Sequence, residues 1–199
     1  MPERLSYYNT LYGREFEKGA GLPVVSTELD SVRTYQFEVH FYGLPSDRIA
    51  EGADLTLAAK QVSPAGFTVE DIIVDRLNDK LYYPGKATPD DLTITFDHLY
   101  LRETAPTLWD WFKTVYDPLT GNLAKNSRPA GANSPHFKAN RLEIVFLDNT
   151  KNPHAVLEYY GVYPRVFKPA ELNYSTSEFH TIEVTFRYDF MDFQNVRSV

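Results

Sequence analysis

The chain has 199 residues, a formal net charge of −7 and no cysteine. Its length fits one domain with appendages; the missing cysteines exclude disulfides and Cys-based zinc sites, and the acidic balance argues against a protein that grips nucleic-acid phosphates. Aromatics are dense, with 14 Tyr, 13 Phe and 2 Trp, which favours β structure, where such side chains fit a pleated, half-buried surface.

Residues 1–32 have no period, and Tyr7, Tyr8, Tyr12 and Phe16 interleave with Gly13, Gly19, Gly21 and Pro23. Disordered tails are poor in aromatics, so the segment reads either as an N-terminal arm that orders against something or as a flexible tail. MPERLSYYNT lacks the apolar core of a signal peptide. No run approaches the roughly 18 apolar residues of a membrane span, so a soluble chain made in the cytoplasm, with no membrane partner, is expected.

RTYQFEVHFYG places Tyr35, Phe37, Val39 and Phe41 on one face of a strand. DLTLAAKQV (54–62) reads as a weaker strand, broken by Pro64-Ala65-Gly66. In FTVEDIIVDRLNDKLYYP the β-branched Val69, Ile72, Ile73 and Val74 favour strand over helix. Asn78-Asp79 is the expected turn centre, giving a hairpin over 68–84 with arms near 68–76 and 80–84. LTITFDHLYL (92–101) is another strand. The helix is expected over 105–116: Thr104 lies near its N-cap, Pro106 in its first turn, and Leu108, Trp109, Phe112, Val115 and Tyr116 recur at helical spacing before Pro118. Two tryptophans on one helix could form a ligand box, but an amphipathic helix on a sheet uses them as core.

Residues 119–138 form a loop rich in Gly, Asn, Pro and Ser, long enough to suggest function or mobility. Strands follow at 141–147, 156–167 and 180–190. In the last, Ile182, Val184, Phe186, Tyr188 and Phe190 alternate with polar residues. Six or seven strands around one helix are not a βαβ pattern. The expected fold is mainly β: two packed antiparallel sheets, a sandwich or small barrel, with one flanking helix. The expected division is an arm (1–32), a β domain (33–193) and a C-terminal tail (194–199).

Signs of chemistry are weak. No two of His40, His98, His136, His154 and His180 lie within five residues of each other. Pro84-Gly85-Lys86-Ala87-Thr88 fails as a phosphate loop, because Lys80 stands where a Gly is needed and Ala87 where a Ser or Thr is needed. Asp90-Asp91 could split its pKa values for acid–base work, but after a Thr-Pro turn a solvated cap is the better reading. Asn173-Tyr174-Ser175 fits a glycosylation acceptor by chance. No catalytic residue, metal site or cofactor is expected, and the chain does not read as an enzyme.

The ordered set Ala59-Lys60 through Pro64-Ala65-Gly66, Pro89-Asp90-Asp91-Leu92-Thr93-Ile94-Thr95-Phe96 running into Trp109–Phe112, Leu157–Pro164 and Glu178–Asp189 resembles the tail tube proteins of contractile-tailed, T4-like bacteriophages. The resemblance covers residues 33–193. It implies the tube fold shared with type VI secretion tubes: six copies form a ring, sheets join into a barrel around a channel, and rings stack through a long hairpin. It implies a tail component of the virion, assembled in the host cytoplasm. Its partners would be copies of itself, a sheath protein, a tape measure protein and tube-initiating baseplate proteins, with phage DNA passing through unbound.

Under this resemblance Val69, Ile72, Ile73, Val74, Leu77, Leu81, Tyr82 and Tyr83 are the inter-ring or inter-subunit contact candidates. An exposed apolar hairpin is an aggregation hazard in a monomer but an interface in a stack. Glu38, Glu143, Glu183 and Asp189 are the lumen candidates. Six copies at −7 carry about −42 per ring, and acidic side chains in a channel would repel DNA phosphates. Alternatives are a baseplate-proximal initiator, a tail terminator ring, the tube of a contractile injection or secretion system, or, more distantly, a monomeric ligand-binding sandwich using Trp109 and Trp111.

Overall fold

The computed structural model describes residues 33–45, 52–123, 137–175 and 177–195. The arm 1–32, most of the 119–138 loop and the last four residues of the tail lie outside them. Eleven strands fall within the described residues: β1 (Phe37–Tyr42), β2 (Ala59–Ser63), β3 (Phe67–Arg76), β4 (Asp79–Pro89), β5 (Leu92–Asp97), β6 (Tyr116–Asp117), β7 (Asn122–Leu123), β8 (Ala139–Leu147), β9 (Pro153–Pro169), β10 (Thr181–Arg187) and β11 (Phe190–Asn195). Two helices join them, α1 (Gly52–Ala58) and α2 (Thr104–Val115), with a 3-10 turn at Tyr100–Arg102.

The main sheet runs β1-β8-β9-β10-β5-β2, with β11 on β9, and every pairing is antiparallel. The long β9 belongs to two layers. Its first part pairs with β8 and β11, its last part with β10. Val39, Phe41, Leu142, Ile144, Leu157 and Tyr159 of the first layer meet Leu92, Ile94, Phe96, Ile182, Val184 and Phe186 of the second in one buried core. This is the expected packing of two sheets. It is not a closed barrel, because the sheet ends at β1 and at β2.

The layers join along a bend. Tyr159 and Val162 both face the core, as do Leu142 and Ala139 opposite them, so each strand skips a position there. Gly161, at φ +67°, and Gly43, at φ +65° beside Asn140, supply the turn. A side chain would be strained in either conformation.

Three expectations shift. Residues 54–62 divide between α1 and β2, because Leu55 and Ala58, three apart, turn one helical face into the core. The strand begun at Leu92 stops at Asp97, and Tyr100–Arg102 coil into a 3-10 turn. The 180–190 alternation breaks after Tyr188: the chain changes layers, and Phe190 is exposed and stacks on Tyr160 at 4.7 Å. The helix is α2. Its N-cap is Glu103 at φ 46°, without a side-chain cap, and Thr104 is its buried first residue.

Candidate functional site

The most unusual feature is the β3–β4 hairpin. Its two strands pair with each other from Phe67↔Pro89 to Arg76↔Asp79 and form a separate two-stranded sheet. The turn lies at Leu77-Asn78, one residue earlier than Asn78-Asp79, and the second arm extends to Pro89. Leu77 takes φ 39° and is fully exposed at the tip.

Among the described residues, the side-chain hydrogen bonds from the sheet to the hairpin lie at its base. The Tyr159 hydroxyl donates to Ala65 O at 2.9 Å and accepts from Ala65 N at 3.1 Å. The Tyr188 hydroxyl donates to Gly66 O at 2.7 Å, and its ring meets Phe67 edge-on at 5.8 Å. Burial pushes the Tyr159 phenol up to about 12; burial, then the Asp90 carboxylate, raise that of Tyr188. Asp91 accepts Arg187 Nε at 2.6 Å and Arg165 at 2.8 Å, while Arg187 also donates to Pro89 O at 3.0 Å. Asp90 accepts from Thr68 Oγ1 at 3.2 Å. The two adjacent carboxylates therefore anchor the base of the hairpin, and Asp91 is an ion-pair residue where a solvated cap was expected.

Beyond that base the ribbon exposes large apolar side chains alongside the charged Asp71, Asp75, Arg76, Asp79 and Lys80. All eight contact candidates (Val69, Ile72, Ile73, Val74, Leu77, Leu81, Tyr82, Tyr83) lie on it and are exposed. Directly opposed residues share a face, so the register sorts them. Ile72↔Tyr83 and Val74↔Leu81 make one face apolar up to Arg76↔Asp79 at the tip. The other face carries Ile73↔Tyr82, Asp71↔Pro84 and the ion pair Lys80–Asp75 at 3.8 Å.

The four acidic candidates are not brought together. Glu38 and Glu143 lie on the outward face of the first layer, Glu183 on the outward face of the second, and Asp189 on the connection between them. Glu38 meets His40 at 3.2 Å. Glu143 takes Arg141 at 2.8 Å and the Tyr42 hydroxyl at 3.1 Å. Asp189 takes Lys138 at 2.6 Å. Glu158, which the sequence reading missed, joins this surface. It is nearly buried on the outward face and held by Arg141 at 3.3 Å, Gln194 at 3.0 Å and the Tyr160 hydroxyl at 2.5 Å. Its neighbours across the sheet are Glu143 and Asp192. The second layer instead presents Thr93, Thr95, Thr181 and Thr185 around Glu183.

The tryptophans serve packing. Trp111 is fully buried and donates Nε1–H to Phe137 O at 3.1 Å; Trp109 is half-buried between Phe112 and Phe167. Neither offers the open platform a sugar-binding sandwich would need. A cleft of about 500 Å³ opens among Phe37, Val62, Pro64, Phe146 and Phe193. Among the described residues no group of three or more His, Cys, Asp or Glu is placed to hold a metal ion. The structure does join two histidines 82 positions apart, with His98 Nδ1 at 3.1 Å from His180 Nδ1. Sequence spacing gave no signal of that pair.

No family model matches the chain, and no curated protein matches it. Solved structures do. A chain of the anti-feeding prophage baseplate aligns at TM-score 0.61 and 13% identity, over 85% of this chain and 99% of that one. A chain of the PVC sheath–tube complex, an extracellular contractile injection system in its extended state, aligns at 0.62 and 14%, over 86% and 99%. The crystal structure of an Hcp protein aligns at 0.51 and 11%, over 80% and 92%. The chain thus has the fold found in components of contractile injection systems.

Proposed function

We propose that this protein is a structural subunit of the tube of a contractile apparatus, building the tube by binding copies of itself. The observation that carries this reading is the free hairpin, pinned at its base and apolar along one face, on a fold similar to chains of a sheath–tube complex and of a baseplate. A stable monomer does not keep such a ribbon in water, and edge and face contacts between copies would cover it. The finer reading is a phage tail tube of stacked six-membered rings, through which the genome leaves. Sheath, tape measure and baseplate proteins would be its partners, and the tail of the particle its location.

The tube of an extracellular injection system is the second reading, favoured by the similarity to the PVC and anti-feeding prophage chains. Both readings place the activity in self-association, and neither needs a catalytic residue. The outward face of the first layer, with Glu143 and Glu158 paired to Arg141, Asp192 opposite Glu158 and Glu38 beside His40, suits a channel that repels phosphate or a face that meets a basic partner.

Negative-stain electron microscopy at rising concentration tests the proposal. Rings or tubes with a central hole are the expected result; long tubes point to a major subunit and isolated rings to an initiator or terminator. A strict monomer at all concentrations, with a ligand found in the Phe37–Phe193 cleft, overturns it.

A further inference from the structure

The histidine pair lies at the end of the second layer away from the hairpin. β5 ends at Asp97 and β10 begins at Thr181, and these two residues are directly opposed. His98 and His180 stand one step beyond them in the same register, and His98 N donates to His180 O at 3.0 Å. Side chains alternate along a strand, so the two imidazoles leave on one side and Asp97 on the other. There Asp97 meets Lys60 at 3.3 Å, which balances the charge beside the pair. The rings cross at 61°, with the two Nδ1 atoms 3.1 Å apart. His98 is exposed and His180 half-buried, so water reaches both.

We infer that His98 and His180 form a two-nitrogen site for a divalent transition-metal ion, copper(II) first in preference, bound through both Nδ1 atoms. Imidazole nitrogens bind such ions at about 2.0–2.1 Å, so two of them 3.1 Å apart subtend roughly 100° at the ion. That lies between the roughly 90° of a tetragonal site and the roughly 109° of a tetrahedral one. Copper(II) accepts tetragonal nitrogen and oxygen ligands and stands highest in the divalent affinity series. The chain has no cysteine to offer a thiolate, which leaves imidazole as its ligand for such an ion. The contact between the rings uses one proton, with one Nδ1–H donating to the lone pair of the other Nδ1. On binding, that proton passes through water to Nε2 of its own ring, and both Nδ1 lone pairs go to the ion. Neutral rings therefore take the metal with no net loss of a proton. Among the described residues no third His, Cys, Asp or Glu joins the pair, so water or an outside donor fills the remaining positions. The ion would tie the end of β5 to the start of β10, 82 positions apart in sequence. It acts as a staple of two loops, and no reaction is assigned to it.

The inference goes beyond the self-assembly reading and stands or falls without it. Untagged protein is titrated with copper(II) at neutral pH and followed by isothermal titration calorimetry and electron paramagnetic resonance. The expected result is one strong site per chain, with two equatorial nitrogens in the spectrum. His98→Asn and His180→Asn should each weaken it by at least about 10–100-fold, the loss that follows removal of even an outer-shell partner. Each should also reduce the spectrum to one nitrogen. His40→Asn removes the imidazole that sits beside a carboxylate, Glu38, and should change neither reading. Nickel(II) and zinc(II) should compete for the same site with lower affinity. Copper(II) should raise the thermal midpoint of the parent, EDTA should reverse the rise, and neither His98→Asn nor His180→Asn should show it. A parent that binds no copper(II), a parent spectrum with a single nitrogen, or a strong site that survives both variants overturns the inference. The nitrogen count of the parent decides even where a variant fails to fold.

Discussion

Gly161 faces the carboxylate of Asp189 so closely that a Cβ at Gly161 would stand 2.2 Å from Asp189 Oδ2. The same backbone has φ +67°, which costs a non-glycine residue about 1–2 kcal/mol. Gly161→Ala carries that cost and also has to move Asp189, which is bound to Lys138 and donates its N–H to Tyr160 O at 2.9 Å. Gly121 has nearly the same φ, +69°, with nothing within 4 Å of its Cβ position. Urea unfolding should show Gly161→Ala losing about 2–3 kcal/mol and Gly121→Ala about 1 kcal/mol. Equal losses would mean that the bend does not depend on the Gly161–Asp189 approach.

The Tyr159 hydroxyl makes the loop before the hairpin pH-sensitive. Its folded pKa is raised from 10.0 to about 12, chiefly by burial. The native state therefore holds its proton where the unfolded chain releases it. The stabilisation is fully present below pH 10 and is lost as pH rises toward 12. Tyr188 shifts in the same direction and adds to the loss. Denaturant midpoints measured from pH 9 to 12 should fall steeply in the parent and less steeply in Tyr159→Phe. At pH 7 the variant should already be weaker by about 1–3 kcal/mol, having left Ala65 N–H and C=O unpaired in the core. An unchanged alkaline slope in the variant would exclude this phenol as the titrating group.

How much of this was legible in the sequence depends on how local the cause is. Ile94, Phe96, Val184 and Phe186 announce their strands because period-2 burial is a local signal. Ile72 and Val74 announce a strand but not its exposure, since β-branched residues suit a pleated ribbon whether water or protein lies against it. The change of layer after Tyr188 depends on the bend at Gly161, on another strand, so an unbroken alternation through Phe190 misleads. His98 and His180 meet only because β5 and β10 pair in that register. Leu55 and Ala58 give too short a helical pattern to outweigh the Lys60–Val62 strand that follows them.

The two tryptophans should separate in cost. Trp111 is fully buried, meets Phe41 edge-on at 6.2 Å and Phe186 at 5.3 Å, and spends its only N–H on Phe137 O. Trp111→Ala is expected to lose about 3–5 kcal/mol. Trp109 is half-buried and stacked, so Trp109→Ala should lose about half of that. Thermal unfolding followed by circular dichroism checks the order, and reversal would place Trp109, not Trp111, at the centre of the core.

The two faces of the hairpin make opposite predictions. Ile72→Lys with Tyr83→Glu removes apolar area from one face while putting opposite charges at a directly opposed pair, so the ribbon itself keeps a favourable cross-strand contact. These residues are exposed, so the monomer's unfolding midpoint should move by no more than about 0.5 kcal/mol. Assembly should respond very differently. Each large apolar side chain buried between copies contributes about 1.5–3 kcal/mol, so losing two raises the concentration needed for assembly by about a hundredfold or more. Asp75→Asn with Lys80→Gln removes the exposed ion pair of the other face, which contributes about 0–1 kcal/mol, and should leave that concentration nearly unchanged. Sedimentation velocity over a dilution series reads both. Assembly that survives the Ile72/Tyr83 change at the parent's concentration would show that the apolar face is not where copies meet. Equal sensitivity of both faces would show that the ribbon is gripped all round instead of laid on one surface.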